Sequence, residues 1–321
     1  MTNAKLDILC LSGQDESTNM IKQSDLTILV SELGSKKVEI NIIDNINDLT
    51  FKNPIFIHDF SDCLNNKKKL QIFISKYIKV KNKLLVNDGN NKLNDRNNTL
   101  WNTIIPRLCL DTLQVSRYLD TTLDTLVKVR KLKIPFLKML ETGIISYALN
   151  RLNAIYLIKQ FMKDKKVSKA YVRFGHGNNP SFMVDLNDTD SFNIDFDKYT
   201  DNKISLSSIA VHPIRSTENY MKGVISVIFI DGKYSHSIIK KPIDMNVGIR
   251  KYKVVKYSPD YSLLRTTKDI VRQMNIGKKF PIIQINLCHN SDPVYQYLLT
   301  KVNYIDPKLY LEINKRHAKK I

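Results

Sequence analysis

The sequence predicts an α/β fold, or α+β by some definitions, in which an N-terminal α/β domain precedes a C-terminal domain built on antiparallel sheets. Three observations predict it. Over the first hundred residues, β-branched runs alternate with helical patterns, as in a partly parallel sheet. Asp231-Gly232 separates two apolar runs, which is a hairpin signal. Beyond Lys169, strand-like runs follow one another with little helix between them. A chain of 321 residues also has room for about two domains.

The elements follow in order. Residues 6–11 form a short apolar run suited to a buried strand, and residues 26–30 lie in a second apolar stretch. Residues 38–43 alternate and are rich in β-branched side chains, so they read as a strand. Residues 54–58 and 84–86 are further strands, and residues 65–79 place Leu70, Ile74, Tyr77 and Ile78 at helical spacing. The run NDGNNKLNDRNN at 87–98 is made of turn formers and marks a boundary. The domains are then 1–98, a helical region 99–168, and 169–321. In the helical region Leu110, Leu113, Tyr118, Leu119, Leu123, Leu126 and Val127 recur at helical period, Pro135 interrupts, and a second helical pattern covers 137–161. Strands are expected at 170–174, 181–186, 204–211, 224–230, 234–239 and 251–257, a helix at 262–274, and strands again at 281–287 and 294–302.

Composition narrows the function classes. Fifty Lys and Arg against 31 Asp and Glu give a net charge of +19. Such a surface attracts polyanions: nucleic acid, anionic lipid or acidic protein segments. The bias toward Asn, Lys and Ile also fits an AT-rich genome, that of a large DNA virus or of an AT-rich eukaryote, in which Lys simply fills solvated positions. The cysteines Cys10, Cys63, Cys109 and Cys288 lack metal-ligand spacing, which excludes a zinc module and points to a reducing compartment. No secretory pattern opens the chain and no apolar run is long enough to span a membrane, so a cytoplasmic or nuclear location is expected. There is no P-loop, Rossmann glycine pattern or Gly-x-Ser-x-Gly elbow. His58, Asp59 and Asp62 fit a strand-end turn, and Cys288, His289 and Asp292 fit a hairpin turn without the orienting context of a catalytic pair.

Residues 222–242, KGVISVIFIDGKYSHSIIKKP, form a hairpin. Alternation places Ser235, Ser237 and Ile239 on one face of the return strand and Tyr234, His236, Ile238 and Lys240 on the other. The identities Gly223, Ser226, Ile230-Asp231-Gly232, Tyr234-Ser235-His236, Lys240 and Pro242 resemble the central hairpin of ATP-grasp ligases of the glutathione-synthetase and cycloserine-synthetase type. Ile305-Asp306-Pro307 and Leu309-Tyr310-Leu311 resemble that family's C-terminal motif, in the right order. The resemblance implies a pre-ATP-grasp-like domain followed by an ATP-grasp-like domain. It implies ATP-dependent joining of a carboxylate to an amine, with ATP and magnesium as cofactors.

The same resemblance assigns roles. Lys240 and Arg173 would approach nucleotide phosphate, and Gly175 and Gly177 would give a covering loop its freedom. A plain β-turn between two strands also accounts for those glycines. Arg250 would neutralise the transferred phosphoryl group. His236 reads as a hydrogen-bonded hairpin residue without catalytic duty. The metal positions fall on Asn286, Lys301 and Asn303, where the family supplies carboxylates and an amide. Asn286 is uncharged and Lys301 carries the wrong sign; Val224 replaces a glutamate and Arg173 a lysine. A shift of alignment would bring Asp292 or Asp306 into play. Three readings follow: a degenerate ATP-grasp protein binding an anionic partner, either an acidic protein segment or nucleic acid; an active, divergent ligase; or a nucleic-acid-binding factor on an unrelated α/β scaffold.

Overall fold

The computed structural model describes residues 4–11, 16–34, 36, 38–50, 52–59, 63, 67–79, 85–86, 132–135, 137–139, 143–145, 151–174, 181–188, 209–213, 219, 222–242, 252–277, 280, 282–304 and 307–313. The first apolar run becomes β1 (Ala4–Cys10), which pairs in parallel with β2 (Val38–Ile43) and β3 (Ile55–Asp59); β4 (Leu85–Val86) joins β3, giving the order β2-β1-β3-β4. Parallel neighbours need a crossover, and α1 (Glu16–Gly34) supplies the one from β1 to β2. The apolar stretch at 26–30 lies inside this helix. Leu26 and Leu29, three apart, share its buried face against Ile8, Cys10 and Phe56. The helix α2 (Lys67–Lys79) follows β3 and buries Phe73.

A central sheet has the order β12-β11-β10-β13-β14-β5: β12 (Tyr252–Lys256), β11 (Lys233–Pro242), β10 (Val224–Ile230), β13 (Ile282–His289), β14 (Tyr297–Asn303) and β5 (Leu137–Met139). All its pairings are antiparallel except β14 with β5. One face is apolar. Ile225, Val227, Phe229, Ile283, Ile285 and Leu287 pack against Leu263, Ile270 and Val271 of the helix α4 (Tyr261–Gln273). Each such fully buried side chain contributes about 1.5–3 kcal/mol relative to exposure. Asp260 caps α4, accepting the Leu263 N–H at 2.7 Å. A smaller antiparallel sheet, β6-β9-β7-β8, comprises β6 (Gly143–Ile145), β7 (Lys169–Phe174), β8 (Ser181–Asp185) and β9 (Ile209–Pro213). The helix α3 (Arg151–Asp164) lays Ala154, Ile158 and Met162 against Ala170, Val172 and Val211 of that sheet.

Two expectations are corrected. The helical pattern at 137–161 is interrupted: 137–139 and 143–145 are strands, and the helix begins at Arg151. Pairing of β5 with β14 and of β6 with β9 overrides local propensity there. Gly143 permits the second strand, because a Cβ on it would stand 2.7 Å from the Phe161 ring. The hairpin faces also differ from strict alternation. The β10–β11 register shifts between Ile228 and Phe229, so His236 opposes Ile228 while Tyr234 opposes Phe229. This bulge moves Tyr234 to the face of Ser237, whose hydroxyl lies 3.1 Å from the Tyr234 hydroxyl. Ser235 joins His236, with Oγ and Nδ1 3.0 Å apart. The boundary run 87–98 and the helical pattern 110–127 lie outside the described residues. No described helix is long and apolar enough to cross a membrane.

Candidate functional site

The second face of the central sheet is polar, and three cross-strand rows organise it. One row runs His236, Ile228, Gln284, Asn303; the next Ile238, Ser226, Asn286, Lys301; the last Lys240, Val224, Cys288, Leu298. Directly opposed residues in an antiparallel pair share a face, with Cβ atoms about 5 Å apart. The register therefore stands the Lys301 side chain beside Asn286. A bulge between Asn286 and Leu287 sets this pairing, and Thr300 Oγ1 donates to the Asn286 carbonyl at 3.0 Å.

A loop at 307–311 is pinned between this face and the first helix, by Gln284 of β13 and Asp25 of α1. Lys308 N donates to Gln284 Oε1 at 3.0 Å. The Leu309 and Tyr310 N–H groups donate to Asp25 Oδ2 at 2.8 and 3.0 Å, and Leu311 N to Asp25 Oδ1 at 2.6 Å. His236 Nε2 lies 2.7 Å from the Leu309 carbonyl, which can only accept, so Nε2 carries a proton. Both ring nitrogens are thus engaged. The loop places Tyr310 at φ +54°, with its ring centroid 6.0 Å from Lys240 Nζ. The Tyr310 hydroxyl is buried and meets no hydrogen-bond partner among the described residues.

One chain of hydrogen bonds settles an amide orientation. A backbone N–H is an unambiguous donor, so Lys308 fixes the oxygen of Gln284 and leaves Nε2 as its donor end. Gln284 Nε2 donates to Asn286 Oδ1 at 3.0 Å, and Ser226 Oγ donates to the same oxygen at 2.7 Å. A carbonyl oxygen has two lone pairs, and both are used. Asn286 therefore turns Nδ2 away from Ser226 and Gln284, and this nitrogen donates to none of the described residues.

A magnesium ion does not fit these residues. It needs hard oxygen ligands, yet the oxygen of Asn286 is committed to two donors and its neighbour in register is a lysine. Among the described residues, no group of three or more His, Cys, Asp or Glu is arranged to hold a metal. Asp292 does not help: its Oδ1 accepts Val294 N at 2.8 Å and Tyr295 N at 3.1 Å, closing the β13–β14 turn. Asn303 is buried in the row of Gln284. Burial pushes the Cys288 thiol up to about 12, against a smaller downward pull from Lys240, so the sulfur is no nucleophile at neutral pH.

Lys240, Asn286 and Asn303 are thus brought to one sheet face, with Lys301. Arg173 occupies β7, opposite Ser181 and Ala210; Gly175, Gly177, Arg250 and Asp306 lie outside the described residues. Sequence reasoning missed the roles of Gln284 and Asp25. Gln284 and Asn286 had a signal, since polar residues two apart interrupt an apolar strand on one face. Asp25 had none, because its partners lie more than 280 positions away.

No protein-family model and no curated protein matches the chain. Solved structures do. D-cycloserine synthetase is similar over 99% of this chain and 98% of its own, with a TM-score of 0.63 and 13% identity. D-alanyl-alanine synthetase A from Vibrio cholerae matches over 99% and 94%, at 0.58 and 10%. D-alanine–D-alanine ligase from Bacillus anthracis, solved in complex with ATP, matches over 100% and 95%, at 0.56 and 11%. The chain has the ATP-grasp fold, and the expectation of an unrelated α/β scaffold is set aside by these full-length matches.

Proposed function

We propose that this chain is an ATP-grasp scaffold of impaired catalysis that binds an anionic partner, an acidic protein segment or nucleic acid. The observation that carries the reading is the row Ser226, Asn286, Lys301: an amide and an ammonium stand where the family resemblance puts metal ligands. The net charge of +19 supports it, since a basic surface gathers polyanions by counterion release. The solved neighbours are named as ligases and synthetases, and one holds ATP. That sets the competing reading of an active, divergent ligase, which keeps Lys240 on the polar face.

The test pairs two measurements on the full chain. ADP formation is followed in ATP and magnesium with a mixture of amino acids and an acidic peptide, and binding is titrated with poly-glutamate and with a duplex oligonucleotide. We expect no ADP above background and salt-dependent binding of one polymer, which names the partner class. Magnesium-dependent ADP formation that requires an amine would establish the ligase instead.

A further inference from the structure

We infer that the polar face of the central sheet binds an oxyanion of the phosphate class directly, without a divalent cation, through Asn286 Nδ2, Lys301 and Tyr310, with Lys240 beside them. This rests on the reading of the chain as a scaffold that binds anions, and it names the ligand class of that site.

Three features argue for it. The amide of Asn286 is nine-tenths buried and is locked with its donor end turned out, by a relay that begins at the unambiguous Lys308 N–H. An amide held this way offers hydrogen to an anion and no oxygen to a cation. Lys301, its partner in register, brings a positive charge to the same face. The Tyr310 hydroxyl is buried without a partner among the described residues. An unmet buried O–H is unfavourable, and an oxyanion accepting from it would relieve that. Its ring stands 6.0 Å from Lys240 Nζ, at the last of the three rows, while Asn286 and Lys301 stand in the row before.

The consequence is a reversal of metal dependence. Where two carboxylates would repel phosphate oxygens until magnesium bridged them, an amide N–H and an ammonium attract those oxygens outright. A magnesium ion already on the ligand would meet Lys301 and be repelled. Divalent cation should therefore compete with this site rather than complete it.

The experiment is calorimetric titration of the full chain with inorganic triphosphate, in EDTA and again in excess magnesium. Binding in EDTA, weakened about five-fold or more by magnesium, is expected. Binding that appears only with magnesium, or none in EDTA, overturns the inference. Tyr310→Phe removes an oxygen without a partner, so its urea midpoint should not fall. Its triphosphate affinity in EDTA should drop about five-fold, the worth of one hydrogen bond. Asn286→Asp turns a carboxylate oxygen outward and should lose about ten-fold or more in EDTA. Wild-type affinity in both variants overturns the inference. The same preparation titrated with poly-glutamate and the duplex separates the two readings. A polymer that binds while triphosphate does not leaves the proposed function standing and removes this site. Triphosphate that binds while neither polymer does keeps the site and removes the partner.

Discussion

Asp25 Oδ1 accepts the backbone N–H of Leu311 at 2.6 Å, joining the first helix to a loop 286 positions further along the chain. With the Leu309 and Tyr310 bonds it makes one carboxylate the acceptor for three successive backbone donors. Charge-assisted bonds of this kind are stronger than neutral ones, and the carboxylate is fully buried.

Asp25→Ala leaves three buried N–H groups without acceptors. We expect a loss of about 3–5 kcal/mol in urea unfolding. A loss below about 1 kcal/mol would show that this pin does not hold the first helix to the loop.

His236→Phe removes the donor to the Leu309 carbonyl, 2.7 Å away, and keeps an aromatic ring in the site. It should cost about 1–3 kcal/mol. Because His236 positions the loop that carries Tyr310, triphosphate affinity should fall as well; stability lost with affinity intact would refute that link.

Gly223 has φ +107°, and a Cβ there would meet Ile239 side-chain carbons at 2.9 Å and the Lys240 carbonyl at 3.0 Å. Gly223→Ala should cost about 2–4 kcal/mol through strained backbone and a crowded neighbour. A neutral substitution in thermal unfolding would contradict this geometry.

The Asp260 carboxyl titrates below its ordinary value of 3.8. Burial pushes it up, but the Leu263 N–H, the Tyr297 and Ser262 hydroxyls and the nearby His289 outweigh that. The folded state thus holds this proton less tightly than the unfolded chain. Its stabilisation is present above about pH 4 and is lost as pH falls through the lowered value. Tyr297 donates to both carboxylate oxygens, at 3.0 and 2.9 Å. Tyr297→Phe should therefore move the acid-unfolding midpoint, followed by circular dichroism, to higher pH; an unchanged or lower midpoint would refute the assignment.

Cys288 is fully buried and its thiol is raised to about 12. Iodoacetamide at pH 8, with peptide mapping by mass spectrometry, should leave Cys288 unmodified in the native protein and alkylate it fully in urea. Native-state modification would show that this part of the polar face opens.

Much of the fold was legible in the chain because its cues are local. Asp231-Gly232 fixes a tight turn whatever surrounds it, and Val224–Ile230 is a strand because its run of apolar residues fits nothing else between such breakers. The polar pair Gln284 and Asn286, two apart in an apolar run, marks one face of a strand by the period of the pleat alone. The motif residues carried the family resemblance, which the full-length structural matches bear out as a fold.

The tertiary structure decided what depends on partners distant in sequence. Residues 137–139 and 143–145 read as helix and became strands, because β14 and β9 offered them backbone partners that no local propensity reports. The bulge opposite Ile228 and Phe229 exchanged the faces of Tyr234 and Ser235, since one extra residue reverses a period of two. Above all, composition supplies an asparagine at 286 but not the direction of its amide. That direction follows from a backbone N–H at Lys308 acting through Gln284, and it decides whether the site offers an oxygen to a cation or a hydrogen to an anion.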